Sequence, residues 1–149
     1  MKSKVTHSEE ETIELGRQIA RELPRRAVVL LIGNLGAGKT TLAKGIVKGL
    51  NAASPDEVSS PTFTLIHEYS PSVYHVDLYR LDTAKQVSTL GLEEIFDRRA
   101  VVLIEWGERF PELMPAQRIE IRLRTVEKDG GDNSREIELR STMELTSPL

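Results

Sequence analysis

Six consecutive apolar residues, Ala27-Val28-Val29-Leu30-Leu31-Ile32, run directly into Gly33-Asn34-Leu35-Gly36-Ala37-Gly38-Lys39-Thr40. The apolar run has no polar alternation and is partly β-branched, so it reads as a strand buried on both faces of a parallel or mixed sheet. The eight residues after it match G-x-x-x-x-G-K-[ST], and a helix from about Thr40 to Leu50 follows. Each residue type has a reason. Gly33, Gly36 and Gly38 permit backbone angles closed to other residues and let the amide N–H groups of Leu35, Ala37 and Thr41 turn toward one anion. The helix N-terminus adds unpaired N–H groups and the positive end of its dipole. Lys39 supplies a point charge for β- and γ-phosphates, and the Thr40 hydroxyl is a ligand for Mg²⁺. Strand, loop and helix together make a nucleotide phosphate site.

Such a site needs an acid near its cation, and two compete. Glu105 follows Val101-Val102-Leu103-Ile104, the arrangement in which a buried strand delivers a carboxylate to the C-terminal edge of the sheet. Asp77 lies in Val73-Tyr74-His75-Val76-Asp77-Leu78-Tyr79, where period-two alternation puts His75 and Asp77 on one face and Tyr74, Val76 and Leu78 on the other. The apolar face is expected to meet the core, leaving Asp77 free to face a site, where it binds a Mg²⁺-bound water or orients the attacking water. A solvated strand face is the plainer alternative. Ser59-Ser60-Pro61-Thr62-Phe63 suits an ordinary turn, although its place after the helix is where many NTPases put a γ-phosphate sensor, and Thr62 is the better candidate. Trp106, the only tryptophan, is either a core anchor or a nucleotide contact beside Glu105. Arg80, Arg109 and Arg135 are arginines with the charge to meet phosphate, though a solvated surface position is the commoner role.

The rest of the chain frames this centre. Ser8-Glu9-Glu10-Glu11 has the form of a capping box, and Ile13, Gly16, Ile19 or Ala20, and Leu23 recur at helical spacing until Pro24. Residues 62–69 and 72–80 read as two strands joined through Ser70-Pro71, and residues 81–97 as helical pieces broken at Gly91. Ile119, Ile121 and Leu123 alternate on one strand and Ile137 and Leu139 on another, with a hairpin turn at Asp129-Gly130-Gly131-Asp132-Asn133. The residues from Ser141 on have no periodicity and read as a loose tail. The expected class is α/β: a mostly parallel sheet flanked by helices, with antiparallel strands including a C-terminal hairpin, in one domain over residues 1–149.

Composition excludes several chemistries. The 149 residues carry 20 Lys plus Arg against 23 Asp plus Glu, a net charge of −3, which argues against broad electrostatic binding to nucleic acid. With no cysteine, disulfides, thiolate nucleophiles and Cys-type metal sites drop out, and His7, His67 and His75 form no ligand cluster. No apolar run is long enough to span a bilayer, and the N-terminus lacks a signal-peptide core, so a cytoplasmic location is expected.

The set Gly33–Thr41, Ser60-Pro61-Thr62-Phe63-Thr64-Leu65, His75-Val76-Asp77-Leu78-Tyr79-Arg80-Leu81 and Glu105-Trp106-Gly107-Glu108-Arg109, in this order, resembles the TsaE family, from about residue 8 to residue 140. The resemblance implies an α/β P-loop fold and an ATPase, slow alone, of threonylcarbamoyladenosine synthesis on tRNA. It implies ATP and Mg²⁺ as ligands, TsaB and TsaD as partner proteins, and contact with tRNA only through that complex. TsaD is then the transferase acting on the adenosine beside the anticodon, and hydrolysis resets the complex between turnovers. Carried over by motif, Lys39 holds phosphate, Thr40 and Glu105 serve Mg²⁺, and Asp77 is needed for hydrolysis. Glu9 and Arg135 correspond to positions near the nucleotide. The absence of Asn-Lys-x-Asp leans toward ATP rather than GTP. A small-molecule kinase with Asp77 as base, and a nucleotide-gated binding module, are the alternatives.

Overall fold

The computed structural model describes residues 2–59, 65–70, 72–126 and 134–141. Seven strands form one sheet in the order β1-β7-β6-β2-β5-β4-β3. They are β1 (Lys2–Thr6), β2 (Ala27–Ile32), β3 (Ile66–Ser70), β4 (Val73–Asp77), β5 (Val101–Glu105), β6 (Ile119–Val126) and β7 (Ser134–Ser141). In the middle of the sheet β6, β2, β5 and β4 run parallel, while β3 on one edge and β7 and β1 on the other pair antiparallel. The helices are α1 (Glu9–Glu22), α2 (Lys39–Gly49), α3 (Ala84–Ser88) and α4 (Leu92–Phe96).

The apolar run of β2 is buried at every position, and alternation sends its residues to two cores. Ala27, Val29 and Leu31 pack under Ile19, Leu23, Leu42 and Ile46 of α1 and α2. Val28, Leu30 and Ile32 face Val87, Leu92, Ile95, Phe110 and Met114 on the opposite side. A strand with helices on both faces is where a parallel sheet places its center.

Several boundaries differ from expectation for identifiable reasons. β1 was not legible because its residues Ser3, Lys4 and Val5 are exposed, so it joins the edge of the sheet through backbone pairing with β7 rather than through a buried face. The Ser8 hydroxyl caps α1 by accepting from Glu11 N–H at 3.1 Å. The return bond of the expected capping box goes one residue earlier, from His7 N–H to the Glu11 carboxylate at 3.3 Å. β4 ends at Asp77 rather than Arg80, because the chain turns there and Leu81 N–H reaches the Leu78 carbonyl at 3.1 Å. Gly91, at φ 75°, breaks the segment between α3 and α4 as expected. β7 pairs with β6 as the C-terminal hairpin and takes in Ser141; the turn at Asp129–Asn133, the residues after Ser141, and Thr62 lie outside the described residues. Among the described residues no helix is long and apolar enough to cross a membrane.

α1 and α2 cross where side chains are absent. A Cβ at Gly16 would lie 2.5 Å from the Leu42 carbonyl oxygen, and one at Gly45 would run into the carbonyl of Ile13. Close approach of the two backbones is what holds α2, and hence the loop that opens it, in place. Gly45→Ala gains up to about 1 kcal/mol of helix propensity, but overpacking against backbone costs about 3 kcal/mol. The net loss of about 2 kcal/mol lowers Tm by roughly 4–8 °C for a chain of this size. Thermal unfolding followed by circular dichroism checks it, and an unchanged Tm would show that the crossing can relax freely.

Candidate functional site

Register does the first part of assembling the site. Glu105 ends β5 opposite Leu31 of β2 on one side and Asp77 of β4 on the other. Both acids therefore emerge at the carboxyl ends of adjacent parallel strands, the edge at which open α/β sheets bind ligands. Alternation places His75, Asp77 and Glu105 on the face shared by Val73, Val101 and Leu103, under α1 and α2. As expected, the apolar face of β4 packs in the core and Asp77 faces the cleft, but the plainer alternative of a solvated strand face does not hold. β4 is buried at all five positions, His75 at 0% exposure and Asp77 at 3%, because helices cover both sides of the sheet.

The loop from Gly33 to Gly38 reverses direction through Gly36 at φ 80° and Gly38 at φ 102°, angles that side chains rarely adopt. Gly38 is the N-cap of α2 and offers no side-chain cap, so the orphan N–H groups of the first turn, at Lys39, Thr40 and Thr41, point out of the helix end. Lys39 is 5% exposed, and its Nζ has no hydrogen-bond partner among the described residues. The ammonium sits 3.4 Å from the centroid of the Trp106 ring, a cation–π contact. Trp106 itself holds φ 69° immediately after Glu105, and this left-handed turn brings its ring back over the cleft beside Tyr79, 5.2 Å between centroids. The Thr40 hydroxyl donates to Glu105, 3.3 and 3.5 Å from its two oxygens. Oε2, the nearer of those two oxygens to Thr40, also lies 2.6 Å from His75 Nε2. Asp77 accepts from Tyr79 N–H at 2.8 Å.

All of these side chains except His75, which is buried behind Glu105, line one cleft of about 810 Å³. Of the residues singled out by sequence, Leu35, Gly36, Gly38, Lys39, Thr40, Thr41, Asp77, Glu105, Trp106, Glu9 and Arg135 line it. Arg135 reaches the loop directly, donating to the Gly36 carbonyl at 3.3 Å. Gly33 and Ala37 do not line it. A Cβ at Gly33 would lie 2.6 Å from the Leu123 carbonyl, and Ala37 is 3% exposed, so both serve the shape of the loop. Arg80 and Arg109 stand at a neighbouring depression with Asp82, and Arg109 donates to the Tyr79 carbonyl at 3.0 Å. Sequence reasoning missed His7, Ser8, Glu10 and Thr12, which reach the cleft only because β1 pairs into the sheet, and Tyr79, whose signal was its two-residue spacing from Asp77.

Burial pushes the Lys39 ammonium below its usual pKa, against the opposing pull of Glu105, Glu108 and Asp77. Burial likewise raises the Glu108 carboxyl above the usual carboxylate range. The sign for Lys39 is definite. A lysine with a lowered folded pKa binds its proton less tightly than in the unfolded chain, so its burial costs stability at neutral pH. That cost is relieved only as pH rises through the lowered value. Lys39→Met, which keeps a stem against Trp106, is therefore expected to stabilise the free protein by about 1 kcal/mol and raise Tm by about 2–4 °C. A lower Tm would mean that the three acids need the ammonium more than it needs water.

The family model described as "Threonylcarbamoyl adenosine biosynthesis protein TsaE" matches residues 6–137. The chain is 40% identical over 135 residues to the tRNA threonylcarbamoyladenosine biosynthesis protein TsaE of Bacillus subtilis, covering 89% of this chain and 80% of that one. It is 37% identical over 135 residues to the protein of the same name from Treponema pallidum, covering 89% of this chain and 96% of that one. Among solved structures it superposes on Bacillus subtilis YdiB with a TM-score of 0.75 at 31% identity, covering 95% of this chain and 86% of that one. With a strand, loop and buried lysine arranged as described, and relatives matched over most of both chains, this chain belongs to the TsaE family.

Proposed function

We propose that the cleft binds Mg·ATP and hydrolyses it, in the cytoplasm, in support of threonylcarbamoyl transfer to the tRNA adenosine beside the anticodon. The observation that carries the reading is the Lys39 ammonium, buried at an uncapped helix N-terminus without a hydrogen-bonding partner among the described residues. An ammonium held this way is costly unless an anion completes it. The uncapped N–H groups of the first turn of α2 and the helix dipole meet the same end of the cleft as the ammonium, which suits the β- and γ-phosphates.

The residues beside it fit a divalent cation of the magnesium type. Thr40 and Glu105 offer a hydroxyl and a carboxylate in contact with each other, and Mg²⁺ is commonly held by one or two protein oxygens with the rest from phosphate and water. When bound, such an ion would neutralise charge on the phosphate oxygens. Lys39 would add a second positive charge for the same phosphates. Asp77, anchored through one oxygen by Tyr79 N–H, orients the attacking water and takes up its proton. Trp106 and Tyr79 wall the cleft on the side of the γ-phosphate and limit access of bulk water. Thr62, outside the described residues, stays the sequence's candidate for a γ-phosphate sensor, and Glu9 and Arg135 line the cleft from α1 and β7.

The acidic composition fits an ATPase that reaches tRNA through partner proteins, here TsaB and TsaD, rather than by its own surface charge. Steady phosphate release from Mg·ATP, measured on the chain alone and then with TsaB and TsaD added, tests the reading. Stimulation by the pair is expected, and Asp77→Asn and Glu105→Gln should each lower turnover by about 10²-fold or more while nucleotide still binds. Turnover unaffected by the pair would favour a nucleotide-gated module or a kinase lacking its acceptor. Normal hydrolysis by both variants would remove these acids from the chemistry.

A further inference from the structure

Two groups make their closest contact with Glu105 at the same oxygen, Oε2, and only one of them, the Thr40 hydroxyl, belongs to the loop and helix that would meet a nucleotide. The other is His75, which is wholly buried in the middle of the sheet, two residues before the end of β4. Its Nε2 lies 2.6 Å from Glu105 Oε2, while its Nδ1 is buried with no hydrogen-bond partner among the described residues. That asymmetry assigns the tautomer. A proton on Nδ1 would be buried without an acceptor, so the ring carries its proton on Nε2 and donates it to the carboxylate. The ring has nowhere to swing. Leu103 of β5 stands beside it in register on one side, His67 of β3 on the other, and the Tyr69 ring 6.4 Å away.

We propose that His75 is the positioning residue of the cation site. Its Nε2–H ties Glu105 Oε2 to the interior of the sheet and fixes the plane of the carboxylate, so that the group meets the Thr40 hydroxyl, and an ion beside it, in one orientation. A glutamate has three rotatable bonds, and a carboxylate free to turn about them would lose part of its ion affinity to reorientation. Groups that hydrogen-bond to metal ligands do this work elsewhere in metalloprotein chemistry, and their removal costs about 10–100-fold in ion affinity or activity. His75 touches neither nucleotide nor ion and has no place in the bond-making steps. The inference rests on the nucleotide and cation reading above and adds to it a residue that reading does not use.

The test uses Mn²⁺ as the probe, with bound ion measured in the presence of ADP by loss of the free-ion EPR signal. Wild type, His75→Leu, His75→Gln and Glu105→Gln are compared as full chains, with ADP binding in EDTA separating loss of the ion from loss of the nucleotide. His75→Leu is expected to weaken Mn²⁺ by about 10–100-fold. In steady state the same variant should raise the Mg²⁺ concentration needed for half-maximal turnover far more than it lowers kcat at saturating Mg²⁺. His75→Gln places an amide N–H where Nε2–H stood and should recover most of the loss. Should His75→Leu fail to fold, His75→Asn takes its place, since the shorter amide sits at the Nδ1 position and does not reach Glu105. Wild-type Mn²⁺ affinity in the Leu or Asn variant, or a Gln variant as weak as either, overturns the inference. If wild type and Glu105→Gln bind Mn²⁺ alike, the cation reading itself fails and takes the inference with it. A loss in Glu105→Gln without one in His75→Leu removes the inference alone.

Discussion

A carboxylate at 3% exposure is the point on which this structure turns. Glu105 sits at the end of a strand whose other four residues are apolar and buried, and a bare charge there would carry an uncompensated cost of leaving water. It is instead met by a hydroxyl from α2, an imidazole from β4 and the field of the Lys39 ammonium. The hydroxyl and the ammonium come from α2 and the imidazole from β4. Losing either hydrogen-bonding partner leaves a buried polar group of the carboxylate unsatisfied. The cluster therefore ties the ends of β4 and β5 to the first turn of α2 more tightly than apolar packing alone.

The sheet makes that meeting possible. Parallel pairing of β2 with β5, and of β5 with β4, puts three strand ends at one level, so the loop leaving β2 and the acids ending β4 and β5 emerge together. The glycine crossing of α1 and α2 then sets how close the second helix lies over that edge. Antiparallel strands are added only on the outside, where β1 and β7 carry the β1–α1 turn and Arg135 up to the rim of the cleft. The center builds the phosphate end of the cleft and the edges build the rest.

How much of this was legible followed from the range of each signal. The apolar runs of β2 and β5, the loop between Gly33 and Thr40 and the Ser8 cap are local patterns, and each appears where the sequence places it. β1 carries no pattern, since its described side chains are mostly exposed and its order comes from a partner over 120 residues away. The alternation in β4 was real, but one strand cannot report that helices cover both faces, so Asp77 and His75 proved buried where a solvated face was a fair reading. Trp106 is the hardest case. Nothing in residue type announces a tryptophan in the left-handed region, and only the turn after Glu105 explains how it lies over Lys39 while packing against the edge of the core.

The charge of the cleft carries one further step. Glu9, Glu10, Asp77 and Glu105 line it against Lys39 and Arg135, so the lining is more acidic than basic although the loop is shaped for an anion. A polyphosphate alone would gain from the helix end, Lys39 and Arg135 and lose to four carboxylates, with interactions in a half-enclosed cleft stronger than in water. A divalent cation reverses the sign of that balance, because the acids which repel phosphate then attract the ion that accompanies it. On the reading proposed above, a cleft of this charge favours the nucleotide–cation complex over either component, and the buried acids that seem to oppose the phosphate loop are what draw the cation in.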